Sequence, residues 1–90
     1  MRVHFTANGW NDYRHWLEND PTILTRINAL IKDARRTPFQ GLGKPEALKR
    51  ELAGWWSRRI TSEHRLVYRV QGQPGVNQRL EIAICRNHYT

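Results

Sequence analysis

Two steps into proline bracket the stretch that most constrains this chain. Asp20-Pro21 opens it and Thr37-Pro38 closes it. Aspartate caps the amino end of a helix well, and proline in the first turn loses no needed hydrogen bond. A residue before proline is biased away from helical backbone, so Thr37 marks a stop. Between the two steps Ile23, Leu24, Ile27, Leu30, Ile31 and Ala34 recur at helical spacing. The pattern predicts a helix over 21–36 with one apolar face, which another part of the chain has to cover.

The rest of the sequence supplies the cover. Val3 and Phe5 alternate with Arg2 and His4, which predicts a short strand over 2–6. Asn8-Gly9 then breaks it. Trp10, Tyr13, Trp16 and Leu17 follow at helical spacing and predict a first helix ending near Asn19, with the three aromatics in the core. Residues 38–46 carry two Pro and two Gly and read as loop. Ala47 to Leu52 can form one helical turn. Segments 54–60, 64–70 and 79–87 read as strands, joined by a turn at 61–63 and a polar loop at 71–78. The order is β-α-α-β-β-β, an α+β fold in which two helices cover one face of a small antiparallel sheet. Ninety residues make one domain, 1–90.

Alternation assigns the faces. Leu66, Tyr68 and Val70 point to the helices, and Arg65, Val67 and Arg69 point away. If Ile60 faces the core, so does Arg58, unless a bulge or an edge relieves it. Leu80, Ile82 and Ile84 are expected in the core. Strict alternation then puts His88 on their face, and it joins Arg65 only if it lies past the end of regular pairing. Trp55 and Trp56 go to opposite faces, one to the core and one open to contact.

Fifteen Lys and Arg stand against eight Asp and Glu, a net charge of +7. From Arg35 to Arg69 nine bases face three acids, so most of the excess lies in about one third of the chain. Arginine outnumbers lysine there and aromatics interleave with it, which points to a polyanion partner. Cys85 is the one cysteine, within a strand, and reads as a small core residue. His4, His15, His64 and His88 lack metal-ligand spacing, so neither metal nor other cofactor is expected. No segment resembles a signal peptide or approaches the roughly 20 apolar residues of a membrane helix. A cytoplasmic protein with no membrane contact is expected.

Several cations, one carboxylate in Glu46 and one imidazole in His88 are what RNA cleavage needs without a metal. The segment LIKDARRTPFQGLGKPEALKRELAGWWSRRITSEHRLVYRV, followed by CRNHY, resembles the YoeB (Txe) toxins of the RelE/ParE superfamily across nearly the whole chain. The resemblance implies the toxin of a type II toxin–antitoxin pair, a ribosome-dependent endoribonuclease (mRNA interferase) that cuts mRNA in the A site. It implies Glu46 as general base, His88 as general acid and Arg65 as the cation stabilising the transition state. Lys49, Arg59 and Tyr89 match substrate contacts. The implied partners are mRNA on the ribosome, an acidic YefM-like antitoxin and a second copy of the chain. Two features depart from the family. The 71–78 loop is longer by several residues, and Thr90 follows the tyrosine that ends the family's chains. The competing reading is a non-catalytic basic module that blocks translation by occupying the ribosome.

Overall fold

The computed structural model describes residues 1–88. Strand β1 (Arg2–Phe5) leads into helix α1 (Ala7–Asn19), then helix α2 (Pro21–Arg36). Four strands follow: β2 (Glu46–Ala47), β3 (Trp56–Arg59), β4 (Arg65–Gln71) and β5 (Arg79–Ile84). They form one five-stranded sheet in the order β1-β5-β4-β3-β2. All neighbours are antiparallel except β1, which lies parallel to β5 with Arg2 beside Arg79. The β-α-α-β-β-β reading holds, with one short strand added at the far edge. The expected turn at 47–52 divides. Glu46 and Ala47 pair with β3, and a 3-10 turn follows at Arg50–Leu52.

Local chemistry explains the helix bounds. The Asp20 carboxylate accepts the N–H groups of Thr22 and Ile23 at 3.1 and 3.2 Å, and Thr37 closes the other end of α2. Helix α1 starts earlier than Asn8-Gly9 suggests, because Thr6 caps it by accepting the Gly9 N–H at 3.0 Å. Gly9 lies inside the helix and is buried there. A Cβ at this position would collide with the Ile82 carbonyl oxygen, so α1 lies directly against the β5 backbone.

The core sits between helices and sheet. Trp16, Ile27, Leu30, Ile31 and Ala34 meet Ile60, Leu66, Tyr68, Leu80, Ile82 and Cys85. Tyr13 packs at its edge. Trp10 does not join it and stays 46% exposed, as does Leu17 at 57%. Instead Trp10 stacks on Tyr13 with ring centroids 5.9 Å apart and meets Phe5 edge-on. Both Trp55 and Trp56 are half-buried. Trp56 packs on the core and against Phe39, while the Arg69 guanidinium covers Trp55 at 4.4 Å. Burial pushes the Cys85 thiol up to about 12, so it stays protonated and packs as an apolar group.

Alternation holds in β3, where Arg58 points into the core with Ile60 and is fully buried. It fails in β5, where Tyr68 pairs with Ile82 but Val67 pairs with Ile84. Ala83 is therefore an extra residue, a bulge. The groups the bulge frees are taken by α1. Asn8 donates to the Ala83 carbonyl at 2.8 Å, and Asp12 accepts the Cys85 N–H at 3.1 Å. Burial raises the Asp12 carboxyl above its ordinary value, although the Cys85 N–H and the Arg86 charge pull the other way. Ile84, expected in the core, is half-buried and sits opposite Val67 on the far face. The bulge reverses the alternation for the end of β5, and Cys85 beyond it turns back into the core.

Candidate active site

The site begins with Arg58. Its guanidinium donates all five of its N–H groups: Nε to the Tyr68 hydroxyl at 2.8 Å, Nη1 to Asp33 at 2.6 Å and the Leu42 carbonyl at 3.0 Å, Nη2 to the carbonyls of Thr37 at 2.6 Å and Gln40 at 2.9 Å. Tyr68 donates onward to the Pro38 carbonyl at 2.6 Å. The Arg58 hydrogen bond holds Asp33 below its ordinary value, helped by the Leu42 N–H. Burial pushes Tyr68 up, which keeps it a neutral phenol. A loop rich in Pro and Gly is thus tied at three carbonyls to one buried cation, and at a fourth to the tyrosine beside it.

That tie delivers the next segment. Gly43, at φ +80°, gives its carbonyl to the Arg59 N–H at 2.7 Å. A Cβ there would press on Leu30, Arg58 and the Arg59 carbonyl. Lys44 also takes a left-handed backbone, and Pro45 then leads into β2. Glu46 pairs with Ser57, while Arg59 pairs with Arg65 one step along β3 and β4. Paired residues point to one face, so the carboxylate and the two guanidinium groups share the side away from the helices.

His88 arrives from the other direction. After the bulge the chain stays attached to β4, since the Arg65 N–H donates to the Asn87 carbonyl at 3.1 Å. Asn87 takes φ +64°, and its N–H donates to Nδ1 of His64 at 2.7 Å. The His64 ring itself rests edge-on against Trp16, at 4.8 Å between centroids. These bonds bring His88 to a cleft of about 260 Å3 lined by Lys44, Glu46, Ser57, Arg59, Arg65 and His88.

The expected residues are thereby sorted. Glu46, Arg59, Arg65 and His88 line one cleft. Lys49 is exposed but lies outside the lining, at the start of the 3-10 turn. Tyr89 falls outside the described residues. Lys44 and Ser57 join the lining, although the sequence pattern assigns them no role. His64 holds the tail, and its only sequence signal is its place directly before Arg65.

Arg65 is oriented by its turn. Its Nη1 donates to the carbonyls of Thr61 at 2.7 Å, His64 at 3.1 Å and Ser62 at 3.3 Å. Among the described residues neither Arg59, Arg65 nor Lys44 has an ion pair. Two arginines set directly opposite each other repel, and an anion between them relieves that repulsion. The cleft is thus suited to phosphate, with one carboxylate and one imidazole at its rim for proton transfer. Among the described residues no three His, Cys, Asp or Glu side chains group closely enough to hold a metal ion.

Comparison with known proteins gives the chain's family. Residues 5–89 match the family model of the YoeB-like toxin of bacterial type II toxin–antitoxin systems. Toxin YoeB of Escherichia coli (strain K12) is 54% identical over 89 residues, which cover 99% of this chain and 100% of that protein. A YoeB/ParE toxin from Agrobacterium tumefaciens superposes with a TM-score of 0.93 at 54% identity, covering 99% of this chain and 100% of the other. Two Staphylococcus aureus structures, a YoeB dimer and a YoeB–YefM complex, each superpose at 0.86 with 39% and 38% identity, and each covers 99% of this chain and 98% of its own. The chain belongs to the YoeB-like toxins of bacterial type II toxin–antitoxin systems.

Proposed function

We propose that this toxin is a ribosome-dependent endoribonuclease that cuts mRNA in the A site. The single observation carrying the reading is the convergence of Glu46, Arg59, Arg65 and His88 on one cleft. Glu46 takes the proton from a ribose 2′-OH. The freed 2′ oxygen attacks the adjacent phosphorus while the bond to the 5′ oxygen breaks. His88 donates a proton to that leaving oxygen. Arg65, oriented by the Thr61 carbonyl, meets the charge building on the phosphate oxygens, and Arg59 holds the same group from the facing strand. Lys49 and Tyr89 take neighbouring parts of the message. The products are a 2′,3′-cyclic phosphate and a 5′-hydroxyl. Every group in this scheme is a side chain, so cleavage needs no metal beyond the magnesium the ribosome requires.

The same charge suits an acidic antitoxin of the YefM kind, whose segment would cover the cleft. The exposed Trp10 and Leu17, beside the half-buried Phe5 and Tyr13, suit a second copy of the chain. The cytoplasm, where translation occurs, is the matching compartment.

Primer extension on a defined mRNA in reconstituted translation tests the reading. New 5′ ends inside the A-site codon, seen only with ribosomes, are expected from the parent toxin. Glu46→Ala and His88→Gln should each slow cutting by ~10²–10⁴-fold. Arrest with intact message, unchanged in the Glu46/His88 double variant, would instead make the protein an occupancy inhibitor.

A further inference from the structure

A cavity of about 550 Å3 lies apart from the cleft. It lies at the opposite end of the sheet, where the start of β1, the last turn of α2 and the entry to β5 meet. Arg2, Arg35 and Arg79 line it with His4, and Val76 of the long 71–78 loop forms an apolar rim. Arg2 and Arg79 are direct neighbours in the parallel β1–β5 register. Those strands are about 4.8 Å apart, so two like charges are set side by side.

Nothing among the described residues balances them. No Asp or Glu lines the cavity, and Arg2, Arg35 and Arg79 make no ion pair. Glu81, one step further along β5 on the same face, is already taken by Arg69 at 2.7 Å. Arg35 uses Nε to hold the Met1 carbonyl at 2.9 Å, which directs its remaining donors elsewhere. The loop wall is tied by its own bonds. The Gln73 N–H donates to the Asn77 side chain at 2.8 Å, and Gly72 and Gly75 take the left-handed conformations its turn requires. A cavity of this size admits a nucleotide-sized group, and arginine forks match phosphate oxygens in pairs.

We propose that this cavity is a second anion site that grips a backbone phosphate of RNA, apart from the cleavage cleft. The proposal rests on the reading of the toxin as an RNA-directed protein. RNA is favoured over an acidic peptide because the two sites lie along one strand. Arg65 and Arg69 of β4 share a face, and Gln71 at its end pairs with Arg79. Seven residues of β4 separate the sites by roughly 20 Å, a distance a repeating polyanion bridges.

The test is the salt dependence of binding to a short labelled single-stranded RNA, with Glu46→Gln in the full chain to prevent cutting. Adding Arg2→Gln and Arg79→Gln should lower the slope of log affinity against log salt by about 0.7, the share of one phosphate no longer neutralised on a single strand. The charge-keeping pair Arg2→Lys and Arg79→Lys should hold the slope, which separates charge from folding. An unchanged slope in the Gln pair would overturn the site. So would an unchanged slope accompanied by weaker binding of the acidic antitoxin, which would make this a carboxylate site. Restoring Glu46 to the Gln pair keeps the two readings distinct. A-site cutting with a reduced slope supports both. Cutting with an unreduced slope removes only the second site. No cutting by the parent toxin, and no binding of RNA by it, removes both.

Discussion

Arg58 and Arg59 are consecutive in β3 and have opposite fates. Arg58 is fully buried, and all five of its donors are taken by Asp33, Tyr68 and three loop carbonyls. Arg59 is exposed, faces Arg65 across the strand pair and has no acidic partner among the described residues. The pleat alone separates them. A buried cation with every donor satisfied costs little and fixes the loop that ends at Glu46. An exposed cation left without an acid is available to phosphate. One dipeptide thus supplies both the anchor of the cleft and part of its lining.

The contrast can be broken most forcefully at the buried member. Arg58→Met leaves Asp33 and four oxygens without their donor, and should cost about 3–5 kcal/mol of stability. At 4–8 °C for each kcal/mol, the melting temperature should fall by roughly 12 °C or more. Arg59→Met should stay within ~0.5 kcal/mol of the parent while losing cleavage. Equal melting losses for the two variants would erase the distinction. Arg58→Lys should also fail, because an ammonium cannot reach five acceptors in that fork.

Gly9→Ala comes next. The added methyl meets the Ile82 carbonyl, so α1 has to move off β5, at about 1–3 kcal/mol. Because Asn8 and Asp12 of the same helix hold the bulge, this variant should also lose more cleavage than its stability loss explains. A melt and a cleavage assay on one preparation check both.

His64→Ala sharpens the comparison on the chemical side. It removes the acceptor for the Asn87 N–H, worth ~0.5–1.5 kcal/mol, so cutting should slow by roughly two- to tenfold. His64→Asn, whose Oδ1 stands close to where Nδ1 was, should recover most of the rate. A slower rate without recovery would point to a role other than holding the tail.

The smallest effects are in acid. Asp33 is held below its ordinary value of 3.8, so the stability it adds is whole above that value and is lost as pH falls through its lower folded value. Asp33→Asn should therefore be weaker than the parent near neutrality, and the gap should start to narrow below about pH 4 and keep narrowing as pH falls towards the lower folded value. Asp12 has the opposite sign. Its raised value means that folding is penalised once pH exceeds it, and the penalty disappears as pH falls below 3.8. Asp12→Asn should be at least as stable as the parent at neutral pH. Urea midpoints across pH 3–7 would separate the two.

Much of the fold was legible where local chemistry decides it. Helix α2 runs over the bounds its caps imply, since Asp20, Pro21 and Thr37 act within a turn of themselves. Tyr68 and Leu66 face the core as alternation requires. The cleft was legible residue by residue through Glu46, Arg59, Arg65 and His88, but its assembly was not. The bulge at Ala83 is held by Asn8 and Asp12 from more than 70 residues away, and no period in the strand itself announces it. His88 reaches the cleft past the end of β5, through a left-handed Asn87 held by His64 and Arg65, and no strand period announces that either. Trp10 departs from the expected core because helical spacing reports a face but not how far the sheet beneath it extends. Arg58 is ambiguous in sequence because burial of a charge depends on acceptors from a loop that carries no regular pattern.

Attack by the ribose 2′ oxygen is the claim on which the roles of Glu46 and His88 depend. The measurement that tests it most directly is A-site cutting of a message carrying a single 2′-deoxy nucleotide at the mapped cleavage position, beside its all-ribose parent. Glu46 acting on a 2′-OH predicts that the parent is cut and the deoxy message survives intact on the same ribosomes. Equal cutting of both would contradict the mechanism and remove the roles given to Glu46 and His88.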